Sequence, residues 1–223
     1  MHSFGYFLTA YLIGAIPTGS IAAYLGGKES LFPPGERTPH RAGDVFKILG
    51  RPLGLLVTIL DILKGCIAVW PLIDFMLGPE ERFTWWVVGF GGLLAVIGHC
   101  HSIFLGFRGG RGTATSFGVL VSLLPGPAIL ACFLGGSLAF WGLSTRPGVI
   151  SAAGAMPLFS IPWVLWVQPE RINYLFVVVF LTLWTFYEHW ESLAGYMGLR
   201  VCPPPPPAIV PSEKLETPPS DPK

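Results

Sequence analysis

The sequence predicts an all-α polytopic membrane protein of about seven transmembrane helices with a polar cavity on the cytoplasmic side. Three observations lead there. Of 223 residues, 52% are hydrophobic and only 12% are charged, about half the charge of an ordinary soluble domain. Mean hydropathy is +0.59, so polar side chains are too few to cover a water-soluble globule of this size. The apolar residues also fall in runs long enough to cross a hydrocarbon core, which takes roughly 17–25 residues per helix. These features exclude disorder for most of the chain and argue against a soluble enzyme. A net charge of +1 gives no reason to expect nucleic acid as a partner.

The first run, 4–25, contains Gly14-Ala-Ile-Pro-Thr-Gly-Ser20. Pro17 predicts a kink there, and the small residues predict close helix packing. The second run, 53–77, carries Asp61 and Lys64. Three residues apart, they share a helix face and can pair. Charges at that depth are expected to face the bundle interior or a water-filled site, and a structural ion pair explains them as well as a catalytic one. Runs at 84–105, 149–167 and 172–188 each suit one span. The stretch 113–143 is too long for one and is interrupted by Pro125-Gly126-Pro127, which predicts a tight helical hairpin. Those assignments make seven helices.

Orientation follows from Lys and Arg placement. Eleven fall on one side, in the connections around 26–52, 108–111 and 146 and in the tail, against Arg82 and Arg171 on the other. With seven spans the amino terminus is expected outside and the carboxyl terminus in the cytoplasm. Residues 1–200 are expected to form one transmembrane domain. Residues 201–223, opening with Pro203 to Pro207, are expected to form an extended stub and a disordered cytoplasmic tail. The start, Met1-His-Ser-Phe-Gly, lacks the basic segment of a cleavable signal peptide. Cys66, Cys100, Cys132 and Cys202 show no CxxC spacing, so neither a disulfide framework nor a metal site is expected.

The most informative stretch is Gly98-His-Cys-His-Ser-Ile-Phe-Leu-Gly-Phe-Arg-Gly-Gly-Arg-Gly-Thr-Ala-Thr115. Here the third span ends, a glycine loop crosses, and the fourth span begins. Gly109, Gly110 and Gly112 allow backbone conformations that turn successive N–H groups toward one point. Thr113 or Thr115 is expected to cap the next helix, whose positive dipole end faces the same point. Arg108 and Arg111 add two positive charges, and the whole suits a phosphate. The glycines alone would also serve a short turn, and the arginines alone would serve topology. It is their concurrence before a helix start that favours an anion cradle. The GxxxxGK[ST] spacing of a Walker loop is absent. His99 and His189, the latter flanked by Glu188 and Glu191, fall at the same face and are further candidates.

At these residues the chain resembles the bacterial acyl-phosphate:glycerol-3-phosphate acyltransferases, the PlsY type, over most of residues 8–195. The resemblance is carried by Tyr11-Leu-Ile-Gly-Ala-Ile-Pro-Thr-Gly19, by Leu49-Gly-Arg-Pro-Leu-Gly-Leu-Leu56 with Leu60-Asp-Ile-Leu-Lys-Gly65, and above all by 98–115. There the family's Gly-His…Phe-Leu-x-Phe-(Lys/Arg)-Gly-Gly-Lys-Gly-x-Ala-Thr is nearly intact, with Arg111 at its lysine. The resemblance implies a seven-span enzyme of the bacterial inner membrane. It would join acyl phosphate to the 1-hydroxyl of glycerol 3-phosphate, giving lysophosphatidic acid and phosphate without a metal or cofactor. It implies the lipid bilayer and a peripheral acyl-phosphate-producing enzyme as partners.

It also implies site residues. Arg111, His189 and Lys47 are the expected catalytic set. Arg108, Gly109, Gly110, Gly112, Thr113, Arg41 and Ser192 are the expected phosphate contacts. Two motifs depart from the family pattern. The first reads Ser-Gly-Asn-x-Gly-Ala-Thr-Asn before Val-x-Arg in the family; here it is Arg37-Thr-Pro-His-Arg-Ala-Gly-Asp44, then Val45-Phe-Lys47. Lys47 keeps the arginine's charge without its bidentate fork, and Arg37 and Arg41 offer replacement charge. The third motif, His-Arg-x-Asn-Ile, becomes His189-Trp-Glu-Ser192-Leu, with Ser192 at the asparagine. Two other readings stay open: a paralogue with a changed acceptor or no turnover, and a small anion transporter.

Overall fold

The computed structural model describes residues 2–27, 50–69, 85–107, 109–140, 145–190 and 193–194. The described residues are all helical or connecting. Helices α1 (His2–Ala15) and α2 (Thr18–Leu25) come first, then α3 (Arg51–Val69) and α4 (Trp85–Cys100). A short 3-10 turn, Ile103–Leu105, leads through the glycine loop to α5 (Thr113–Leu123). Next are α6 (Pro125–Phe140), α7 (Thr145–Trp166), the 3-10 segment Pro169–Tyr174 and α8 (Leu175–Glu188). Four segments are long and apolar enough to cross a membrane: Phe4–Leu25, Arg51–Val69, Trp86–Leu105 and Gly148–Trp166. Thr113–Leu123 and Pro125–Ser137 are shorter apolar helices.

The distribution of side chains on α3 shows how the fold solves a two-solvent problem. Leu55, Ile59, Leu63 and Ile67 recur every fourth residue and are exposed, which forms an apolar stripe suited to lipid tails. Gly54, Val57, Asp61, Lys64, Gly65 and Ala68 are buried on the opposite face. Charge therefore points inward, as its cost in hydrocarbon requires. Small residues let the helices touch through their backbones. A Cβ at Gly65 would lie within 2.3 Å of the Thr115 carbonyl oxygen on α5, and one at Gly118 of α5 within 2.0 Å of the Ile62 carbonyl oxygen. Gly14 and Gly98 make the same reciprocal approach between α1 and α4. Without a hydrophobic drive between helices in lipid, such contact is the main route to tight association. The core gathers around Tyr6, Val88, Val96, Val119 and Leu123, with the Tyr6 hydroxyl donating to the Ala68 carbonyl at 2.9 Å.

Two local expectations change. Pro17 does more than kink the first span: Ile16 and Pro17 leave the helix altogether, dividing α1 from α2. Proline supplies no N–H and its ring collides with the preceding turn, and here the opening is stabilised by side chains described below. The break in 113–143 falls at Leu124 (φ −137°, ψ 72°), not within Pro125-Gly126-Pro127. Pro125 instead occupies the first turn of α6, where its missing donor costs nothing. Helix α5 packs chiefly on α3, and α6 on α7. Residues 70–77 of run 53–77, most of the 26–52 connection and the 201–223 tail lie outside the described residues.

Candidate active site

The glycine loop is held against the end of α4. Its chain turns through left-handed conformations at Gly106 (φ +62°), Phe107 (φ +61°) and Gly112 (φ +75°). Gly109 and Gly110 do not adopt that conformation. Gly109 is required for a different reason: a Cβ there would stand 2.1 Å from the His99 carbonyl oxygen and 2.6 Å from that of Cys100. Gly110 donates its N–H to the His99 carbonyl at 3.1 Å. The expected cradle of consecutive loop amides is thus corrected at Gly110, whose donor is directed into the protein. The cause is tertiary. The last turn of α4 exposes carbonyls without an intrahelical partner, and the loop supplies one.

The cap of α5 also differs. Gly112 occupies the N-cap, and no side-chain cap hydrogen bond forms. Thr113 is the first helical residue, and Thr115 is wholly buried two residues later. Glycine wins the position because it is left-handed, which a β-branched threonine resists. Since Thr113 closes no cap, Thr113→Ala is expected to leave thermal stability within about 0.5 kcal/mol of wild type, whereas loss of a true threonine cap costs about 0.5–2 kcal/mol. Thermal unfolding in detergent measures the difference.

Arg111 and His189 come together although 78 positions separate them: Arg111 Nη1 lies 3.5 Å from His189 Nδ1. A guanidinium only donates, so Nδ1 accepts in this contact. His189 is buried, 5% exposed, at the carboxyl end of α8, where its N–H bonds the Thr185 carbonyl at 3.0 Å. Arg108, Arg41, Lys47 and Ser192 lie outside the described residues.

Beside the loop, a polar cavity of about 30 Å³ is lined by Thr18, Asp61, Lys64, His99, Ser102 and Gly110, among others. A volume of that size takes one or two waters. Asp61 and Lys64 pair at 2.9 Å, as their spacing predicts. Lys64 also donates to the Ile16 carbonyl and to Thr18 Oγ1. Thr18 donates to Asp61 at 2.7 Å, and His99 Nδ1 stands 3.6 Å from the same carboxylate oxygen. The hydroxyl of Ser102 donates to the Ala15 carbonyl, which closes the seam between α1 and the turn after α4. The sequence offers Asp61, Lys64 and His99 as candidates without placing them in the site, and it gives no sign of Thr18 or Ser102 as their partners. Intramembrane charge was the available signal for the first two. Nothing in a sequence tells which hydroxyl from another span will meet them.

Comparison with known proteins places the chain among its relatives. Residues 4–197 match the family model described as glycerol-3-phosphate acyltransferase. The chain is 32% identical over 188 residues to a glycerol-3-phosphate acyltransferase of Geobacter metallireducens, covering 82% of this chain and 90% of the relative. It is 32% identical over 184 residues to one from Aquifex aeolicus, with the same coverage of 82% and 90%. Among solved structures it resembles PlsY (YgiH), an integral membrane glycerol 3-phosphate acyltransferase in its glycerol 3-phosphate form. That match has a TM-score of 0.71 and 27% identity, and covers 90% of this chain and 95% of that one. The lysophosphatidic acid form of the same enzyme matches with a TM-score of 0.70.

Proposed function

Because this chain belongs to the glycerol-3-phosphate acyltransferase family, we propose that it moves a fatty acyl group from acyl phosphate to the 1-hydroxyl of glycerol 3-phosphate. In that reaction the hydroxyl oxygen attacks the acyl carbonyl carbon, the bond from that carbon to the phosphate oxygen breaks, and phosphate leaves with the electron pair. The hydroxyl proton passes to a phosphate oxygen. The products are lysophosphatidic acid and inorganic phosphate, which place the enzyme at the start of phospholipid synthesis.

The carrying observation is the meeting of Arg111 with His189 beside the glycine loop. An acyl phosphate is already activated, so the protein's task is to bring two anions together and stabilise the charge that develops. Orientation alone can lower a barrier by about 7–11 kcal/mol in good geometry. In this reading Arg111 and the amino-terminal end of α5 hold a substrate phosphate, and His189 orients the guanidinium and helps with the proton. Arg41, Lys47, Arg108 and Ser192 complete the anion site, on the strength of the family resemblance. The names of the relatives support this activity over an inactive paralogue or an anion transporter.

The reading extends to placement. Seven spans in the bacterial inner membrane are what the family resemblance implies, and an amino terminus outside with the arginine-bearing face and Pro-rich tail in the cytoplasm is the orientation that the Lys and Arg bias favours. A peripheral enzyme that makes acyl phosphate would deliver the donor there. The test is purified protein in detergent with acyl phosphate, with and without glycerol 3-phosphate. Phosphate release that requires glycerol 3-phosphate is expected; release indifferent to it rejects the assignment.

A further inference from the structure

We propose that Asp61 and Lys64 are positioning residues that tie the break in the first span to the glycine loop and thereby set the loop's register over the site. The inference rests on the acyltransferase reading for its kinetic consequence but not for its structural one. Lys64 has three N–H donors, and three acceptors meet them: the Ile16 carbonyl, Thr18 Oγ1 at 3.1 Å and Asp61 Oδ1 at 2.9 Å. An ammonium group saturated in this way has no donor left for a substrate phosphate, although it lines the cavity. The pair is also neutral as a unit, so it adds no net attraction for an anion.

Its partners lead elsewhere. On one side, Lys64 and Asp61 hold Ile16 and Thr18, the residues that flank Pro17. The Ile16 carbonyl stands at the point where the helix opens, and its bond to Lys64 gives the break a defined shape. On the other side, the Asp61 carboxylate faces the ring of His99 at 3.6 Å. The carbonyl of that same His99 receives the Gly110 N–H at 3.1 Å. Hydrogen bonds thus join Ile16, Lys64 and Asp61, a 3.6 Å approach brings Asp61 to the His99 ring, and a further hydrogen bond joins the His99 backbone to Gly110. The next residue is Arg111. A buried ion pair is weak evidence for stability, because close-packed apolar side chains often serve as well. Apolar side chains cannot specify where a carbonyl and an imidazole sit, and that specification is what this pair supplies.

Lys64→Met, Asp61→Asn and Thr18→Val test this in the full chain in detergent. Two readouts are needed: steady-state kinetics with both substrates varied, and deuterium exchange across residues 14–20 and 98–112. Thr18→Val keeps the ion pair and serves as the milder variant if either charge substitution prevents folding. The expected result is a rise of about tenfold or more in KM for a phosphate-bearing substrate in Lys64→Met and Asp61→Asn, exceeding the change in kcat. Exchange should quicken in both segments while the rest of the bundle keeps wild-type protection. Thr18→Val should move the same readouts in the same direction by less. Unchanged KM and exchange would overturn the proposal. So would faster exchange spread evenly over all helices, which marks a pair that serves stability alone. If wild-type protein shows no glycerol-phosphate-dependent turnover, the acyltransferase reading fails on its own, and the exchange pattern still decides this one.

Discussion

Gly109→Ala is expected to abolish most activity while leaving the protein soluble in detergent. The added methyl would stand 2.1 Å from the His99 carbonyl oxygen and 2.6 Å from that of Cys100. Both are backbone atoms of the last turn of α4, so no side chain can rotate away. Overpacking of an interior typically costs about 1–3 kcal/mol, and a collision with fixed backbone belongs at or above the upper end. The loop relieves it by lifting off α4, which breaks the Gly110 bond to His99 and carries Arg111 away from His189. About 3 kcal/mol corresponds to two decades in rate, so kcat/KM should fall about 100-fold or more in the phosphate-release assay. Gly106→Ala is the informative contrast. Its Cβ would meet nothing within 4 Å, so only the left-handed backbone at φ +62° opposes it, a cost of about 1–2 kcal/mol. If both variants lose activity equally, close approach at Gly109 is not what holds the loop.

Arg111→Ala is expected to raise KM for a phosphate-bearing substrate and to lower kcat. A hydrogen bond to a charged group contributes about 1.5–3 kcal/mol, which predicts a loss of roughly 10- to 150-fold in kcat/KM. The substitution also removes the partner that lies 3.5 Å from His189 Nδ1, so the loss should sit toward the upper end of that range. Arg111→Lys keeps a positive charge on a flexible stem but gives up the planar fork. It should retain much of the activity, because the family pattern carries lysine here. Initial rates over a matrix of both substrate concentrations separate the two effects. Wild-type kinetics in Arg111→Ala would remove this residue from the phosphate site.

Much of the fold can be read along the chain because the bilayer constrains each span separately. A run such as Leu55, Ile59, Leu63 and Ile67 has to face lipid, and Asp61 and Lys64 must then face inward. Their mutual contact follows from helical spacing alone. Gly112, before a helix start, is equally local: a left-handed turn at that place selects glycine. The errors arise where a second segment competes for a group. Thr113 has the chemistry of a cap, yet the loop enters α5 through Gly112 and leaves the threonine hydroxyl without that task. Gly110 has the look of an anion-binding amide, yet the carboxyl end of α4 claims its N–H.

What the sequence determined by itself is the class of the molecule, the positions of most helices and the residue types at the glycine loop. Each of these depends on neighbours within a few positions or on the uniform demand of the lipid. Tertiary structure alone decided that Thr18, from the first span, would bond Asp61 in the second, and that His189 would reach Arg111. The physical reason is that a hydrogen bond depends on distance and angle, and those are set where helices cross. The glycines at 14, 65, 98 and 118 permit close crossings, but which helix approaches which is settled by the packing of the whole bundle.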